Sequence, residues 1–262
     1  MIAEVCVGAA WPFLLAAAVL RLRPVAGPVR GPARERPLTP VGIGLLRGGG
    51  RGAAQTALVE LHLAGSVEGA WAGMVRRDDT RPPPPGASGL ARAQYSVLFG
   101  KLHPSRLQRI GRVERALAAE ARAVERAGLL LSGRRVAAVR ILLLPVLCAA
   151  PVAAVAGRLT APWLLLALLA DGAALALGAL PRRTRGGAAL LARLRREHAG
   201  VRRASMREPD QLLLSVALFG APALREQLPR FTGESGLLTR PPREPMDRGG
   251  SGSGEPFAPC GG

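Results

Sequence analysis

The sequence predicts a mainly α fold: a multi-pass helical membrane protein carrying a small cytoplasmic helical domain, winged-helix-like in one reading. Three observations predict it. Two apolar runs, 141–157 and 163–180, are separated only by Arg158-Leu-Thr-Ala-Pro162. A further apolar run occupies 5–20. The chain is 48% hydrophobic but only 3% aromatic, with a mean hydropathy of +0.19 that is high for a soluble protein.

The paired runs read as a tight transmembrane hairpin. At about 1.5 Å rise per residue they reach the lower limit for crossing a hydrocarbon core of about 30 Å. Backbone in lipid must satisfy its own hydrogen bonds, so both runs should be helical despite Pro145 and Pro151. The first run carries Pro12, has Glu4 and no basic side chain before it, and is followed by Arg21, Arg23, Arg30, Arg34 and Arg36. That is the reverse of a cleavable signal peptide and fits an anchor whose N-terminus lies outside. Around the hairpin, Arg134, Arg135 and Arg140 precede and Arg182, Arg183 and Arg185 follow, with Arg158 in the loop, so both ends point to the cytoplasm. The predicted division is an N-terminal transmembrane segment (1–22), a cytoplasmic helical domain (23–138) with a Pro-rich linker (82–86), the transmembrane hairpin (139–181), a basic juxtamembrane helical region (182–230) and a disordered Gly/Pro-rich tail (231–262). The lipid bilayer is the first partner this predicts, with the C-terminus cytoplasmic.

Charge bounds the other partners. The formal net charge is +18, from 36 basic and 18 acidic residues, yet Lys101 is the only lysine and asparagine is absent. Such a skew to Arg, Ala, Gly and Pro matches translation of GC-rich coding sequence, which discounts the charge as a signal for nucleic acid. Cys6, Cys148 and Cys260 have no CxxC spacing and point to neither a disulfide framework nor a zinc site.

Within the cytoplasmic domain, Thr39-Pro40 supplies an N-cap and a proline at the first helical position, and Gly48-Gly49-Gly50 ends that helix. A second helix is expected from Gly52 to Ala64, with Leu58, Leu61 and His62 near one face and Gly65 at its left-handed end. Val67, Trp71 and Val75 alternate with small residues, as in a strand or hairpin. Two helices and a hairpin suggest a winged-helix-like unit, with an irregular helical adaptor as the other reading. The tetraproline Pro82 to Pro85 with Gly86 is a stiff exposed linker. A helix follows over Leu90 to Phe99. A longer one is opened by Ser105 with Gln108 as a capping box, and Leu107, Ile110, Val113, Leu117, Ala121 and Val124 form its buried stripe. It ends at Gly128, and Leu129 to Ser132 reads as a short strand. Beyond the hairpin, Gly187 to Met206 reads as a basic amphipathic helix, suited to an anionic leaflet or carrying ordinary topology-setting charge. Leu212 to Leu224, broken by Gly220 and Pro222, is too short to span and should pack on the domain or at the interface.

The order of these elements carries a resemblance, together with Gly128-Leu-Leu-Leu-Ser132, Pro181-Arg-Arg-Thr-Arg-Gly-Gly-Ala-Ala-Leu-Leu-Ala-Arg-Leu194 and Val216-Ala-Leu-Phe-Gly220. Over residues 37–230 the chain resembles a family of uncharacterised actinobacterial integral membrane proteins that often end in Gly/Cys-rich tails. The resemblance implies an integral membrane protein with no assigned activity. This chain departs from it in having one tail cysteine, Cys260.

Candidate chemistry is sparse. Asp171 falls near the middle of the last span, where a charged carboxylate costs about 2.5–3.5 kcal/mol, and is the candidate intramembrane polar contact. His62, His103 and His198 are dispersed without metal-ligand spacing. The Gly42-Ile-Gly44 and Gly48 to Gly52 stretches lack the Gly-Lys-Ser/Thr ending of a phosphate loop. No catalytic, cofactor-binding or metal constellation is present in the sequence, and no cofactor is expected. The favoured function is a membrane-anchored scaffold or regulatory protein with a protein-binding cytoplasmic domain. The alternative is a membrane-tethered nucleic-acid-binding regulator using Arg47-Gly-Gly-Gly-Arg51.

Overall fold

A computed structural model describes residues 2–22, 38–155, 161–179, 182–200 and 208–239. The Thr39 hydroxyl accepts the Gly42 N–H at 3.1 Å and opens α2 (Pro40–Leu63), as its residue type requires. Gly48 and Gly49 leave helical geometry, Gly49 at φ +61°, so α2 turns sharply where the glycine run predicts a stop. The turn brings Gly44 against Gly52; a Cβ on Gly44 would meet the Gly52 carbonyl oxygen at 2.8 Å. Residues 52–59 are buried on every side, more than the one-faced helix the sequence suggests.

Gly65 at φ +73° ends α2, and the hairpin β1 (Val67–Ala70) and β2 (Met74–Arg77) follows. They pair antiparallel with Val67 opposite Arg77, and β3 (Lys101–Leu102) joins the other edge of β2. Residues 82–86 form the expected exposed, non-helical stretch. Ser88 caps α3 (Gly89–Val97) by accepting the Ala91 N–H at 3.1 Å.

The long helix expected from Ser105 is two helices, α4 (Pro104–Leu107) and α5 (Gly111–Arg126). The Nδ1 of His103 accepts the Ser105 N–H at 3.2 Å, so His103 rather than Ser105 is the cap. The apolar stripe nevertheless holds: Leu107, Val113 and Val124 are buried, with Ile110, Leu117 and Ala121 packed beside them. Gly128 takes φ +73° as expected.

Leu129 to Ser132 is not a strand of a sheet; Leu130 makes an isolated bridge to Arg183. Leu131 N–H donates to Arg182 O at 2.8 Å and Thr184 N–H to Leu129 O at 3.1 Å. These bonds tie the entrance of α6 (Gly133–Val155) to the exit of α7 (Ala161–Ala179), so both ends of this helical pair meet the domain on one side. With α1 (Ile2–Leu22) they share a separate core of Ala10, Leu14, Ala17, Val139, Leu143, Val146, Ala170 and Ala174. Leu20 and Arg21, at the end of α1, lie beside Leu131, Arg135 and Val136 at the start of α6. The start of α1 therefore points away from the domain.

Among the described residues no helix is long and apolar enough to cross a membrane, so what stands is a mainly helical protein. Within these runs α1 contains Pro12, α6 carries Arg134, Arg135 and Arg140 in its first turns, and α7 contains Asp171.

The region after α7 belongs to the domain core. In α8 (Arg185–Glu197), Leu191 is buried with Ile43, Ala217 and Leu218, and Leu194 packs against them. The apolar face proposed for an anionic leaflet is thus occupied by protein. Residues 201–206 of that expected helix lie outside the described residues. The 212–224 run is α9 (Pro209–Phe219), which packs on α2, and α10 (Ala221–Gln227), which packs on α9, with the break at Gly220. Reading 231–262 as disordered is corrected for its first part: α11 (Pro229–Ser235) buries Phe231, and Leu237 is buried too. Phe231 stacks on His62 with centroids 3.8 Å apart, while His62 Nδ1 donates to Val67 O at 3.0 Å. Residues 240–262, with Cys260, lie outside the described residues.

Candidate functional site

Among the described residues, two places with free polar groups bear on a site. The first is Asp171 on α7. Its neighbours Ala167, Ala170 and Ala174 are buried in the three-helix core, and its own Oδ1 is buried without a hydrogen-bond partner among the described residues. An unpaired carboxylate oxygen beside an apolar core is costly. No described basic side chain pairs with it.

The second is a half-open pocket of about 320 Å³ at the surface of the domain, formed where three distant segments converge. The half of α2 after its glycine turn supplies Arg51 and Gln55; α4 and the turn after it supply Ser105, Gln108 and Arg109; the segment following α11 supplies Leu237 and Thr239. The segment after α11 is held in place by Gln55, whose Nε2 donates to Leu237 O at 3.1 Å and whose Oε1 accepts from Arg47 Nη2 at 3.4 Å. Thr239 Oγ1 donates to Gly236 O at 2.8 Å, closing the rim.

His103 lies in the wall and is buried. Because Ser105 N–H can only donate, Nδ1 is the acceptor, and the Ser105 hydroxyl 2.8 Å away donates to the same atom. The ring proton is then on Nε2. Burial, and after it the charge of Arg106, push His103 below the usual imidazole range, so the ring is neutral at neutral pH. The pair resembles the nucleophile and base of a hydrolase, but no acidic side chain lines the cavity to orient the imidazole. Its role is the cap of α4.

The cavity's electrostatics are one-sided. Among the described residues, neither Arg51 nor Arg109 has a carboxylate partner, and both guanidinium groups are exposed. A second cationic cluster lies nearby on protein carbonyls. The Arg47 guanidinium donates to Val216 O and Arg195 Nε to Leu218 O at 3.1 Å, both near the C-terminal end of α9. Burial, and secondly Arg195, bring Arg47 down to about 10, so it stays charged at neutral pH.

The hairpin arginines offer less for nucleic acid. Arg76 pairs with Glu68 at 3.2 Å; Arg77 pairs with Asp79 and lies over the Tyr95 and Phe99 rings at 5.5 and 4.9 Å. Trp71, at the hairpin tip, is 90% exposed and contributes nothing to the core. Among the described residues no group of His, Cys, Asp and Glu could hold a metal ion. Sequence reasoning missed the pocket because its residues share no motif; the one signal in the sequence was Arg51 beside the glycine run. No protein-family model, curated protein or solved structure matches this chain.

Proposed function

We propose that this chain is an integral membrane protein that anchors a helical, protein-binding regulatory or scaffold domain at the cytoplasmic face. The observation that carries the reading is the inverted burial of α1, α6 and α7. Their shared core is built largely from alanine and valine, while Leu15, Ile141, Leu165 and Leu169 face outward at 59%, 65%, 62% and 64% exposure. Water would reverse that arrangement; hydrocarbon tolerates large apolar side chains outside and rewards close approach of small ones inside. At about 1.5 Å per residue α1, α6 and α7 reach roughly 28–35 Å, and snorkelling of flanking arginines accommodates their charged ends.

Orientation follows from charge. Arg134, Arg135, Arg182, Arg183 and Arg185 cluster at the ends of α6 and α7 that join the domain, which favours that side as cytoplasmic. The start of α1 is then outside. For the domain, Trp71 is the partner anchor we infer, because a large rigid aromatic held on a hairpin tip is typical of binding hot spots.

The test is extraction of membranes with alkaline carbonate. The intact chain should stay in the pellet and be released only by detergent; release by carbonate would overturn membrane integration.

A further inference from the structure

We propose that the cavity between α2, α4 and the segment after α11 is a binding site for a phosphomonoester, with the phosphate held by Arg51 and Arg109. The inference does not depend on how the three-helix unit is placed. It rests on size, charge and preorganisation.

Size limits the ligand first. About 320 Å³ is at the lower end of the roughly 300–1,000 Å³ range of small-molecule sites, enough for a phosphate and a small organic group. Charge selects its sign. The lining contains Arg51 and Arg109 and no acidic side chain, so a cation is disfavoured and a dianion has both charges matched. Guanidinium forks donate two parallel hydrogen bonds to phosphate oxygens, and neither fork is taken by a protein carboxylate among the described residues.

The neutral wall supplies the rest. Gln108 offers amide donors, and the Ser105 hydroxyl, its proton directed to His103, presents lone pairs to a ligand hydroxyl. Pro104 and Leu237 give an apolar surface for the organic part. The Gln55 bond to Leu237 O holds the rim without ligand, which lowers the ordering cost of binding. A soluble metabolite and a lipid headgroup such as that of phosphatidic acid present the same phosphate.

Calorimetry on the full chain in neutral detergent at physiological salt tests this, using glycerol 3-phosphate and inorganic phosphate as soluble probes and phosphatidic acid nanodiscs as the lipid probe. Saturable binding of a soluble probe is expected, with Arg51→Gln and Arg109→Gln each weakening it by about tenfold or more. Arg112→Gln, an exposed arginine of α5 outside the cavity, should leave it unchanged. Binding confined to the nanodiscs and lost in the cavity variants supports the same phosphate chemistry with a lipid source. No binding in either arm, or equal weakening by Arg112→Gln, overturns the proposal. Both cavity arginines are exposed, and unchanged thermal melts of the variants exclude misfolding as the cause.

Discussion

Arg47 and Gly220 occupy one another's space: the guanidinium that donates to Val216 O lies where any side chain on residue 220 would point. Gly220 also sits at φ +69°, ψ −125°, a conformation that only glycine adopts readily. Gly220→Ala should therefore cost about 2–4 kcal/mol, combining backbone strain with displacement of a half-buried cation. Urea unfolding of the variant in detergent checks it, and a loss below about 0.5 kcal/mol would deny the contact.

Glu60 reaches from α2 to the start of α3, accepting the Ser88 N–H at 2.7 Å and the Ser88 hydroxyl at 2.6 Å. Ser88→Ala should lose about 1–2 kcal/mol through the cap and this bridge. Ser88→Asp separates the two contributions. Aspartate is as good a cap as serine, but beside Glu60 it adds like-charge repulsion, so urea unfolding at neutral pH should show the variant still destabilised.

His103 makes the domain acid-sensitive. Its folded pKa is depressed by burial, so above the ordinary value of 6.5 both folded and unfolded chains are neutral there and no penalty applies. As pH falls below that value the unfolded chain binds the proton first, and stability declines. Thermal melts between pH 7.5 and 5 should show a fall that His103→Gln reduces. An unchanged slope in that variant would place the acid response elsewhere.

Local chemistry made part of this legible. Thr39, Gly65 and Gly128 act where their residue types predict, because caps and left-handed ends are decided within one turn of chain. The break between α4 and α5 escaped notice because both helices bury the same side, so the apolar spacing runs through it. Phe231 and Leu237 were read as tail because their partners, His62 and Gln55, are more than 160 residues away and leave no trace in local composition. The cavity was hidden for the same reason. Asp171 was legible as an oddity in an apolar run, and the fold keeps it one: its buried oxygen finds no partner among the described residues.

The most direct test of the account uses Cys148, which lies on the outward face of α6. In membranes carrying the chain with Cys6→Ser and Cys260→Ser, Cys148 should resist N-ethylmaleimide until detergent is added, because the hydrocarbon around it excludes the water in which the alkylation runs. A cysteine placed at Arg92, exposed on α3, serves as the water-accessible reference. Protection of Cys148 beside rapid labelling of the reference is the predicted result. Equal labelling of both in intact membranes would contradict the claim that the inverted three-helix unit sits in lipid.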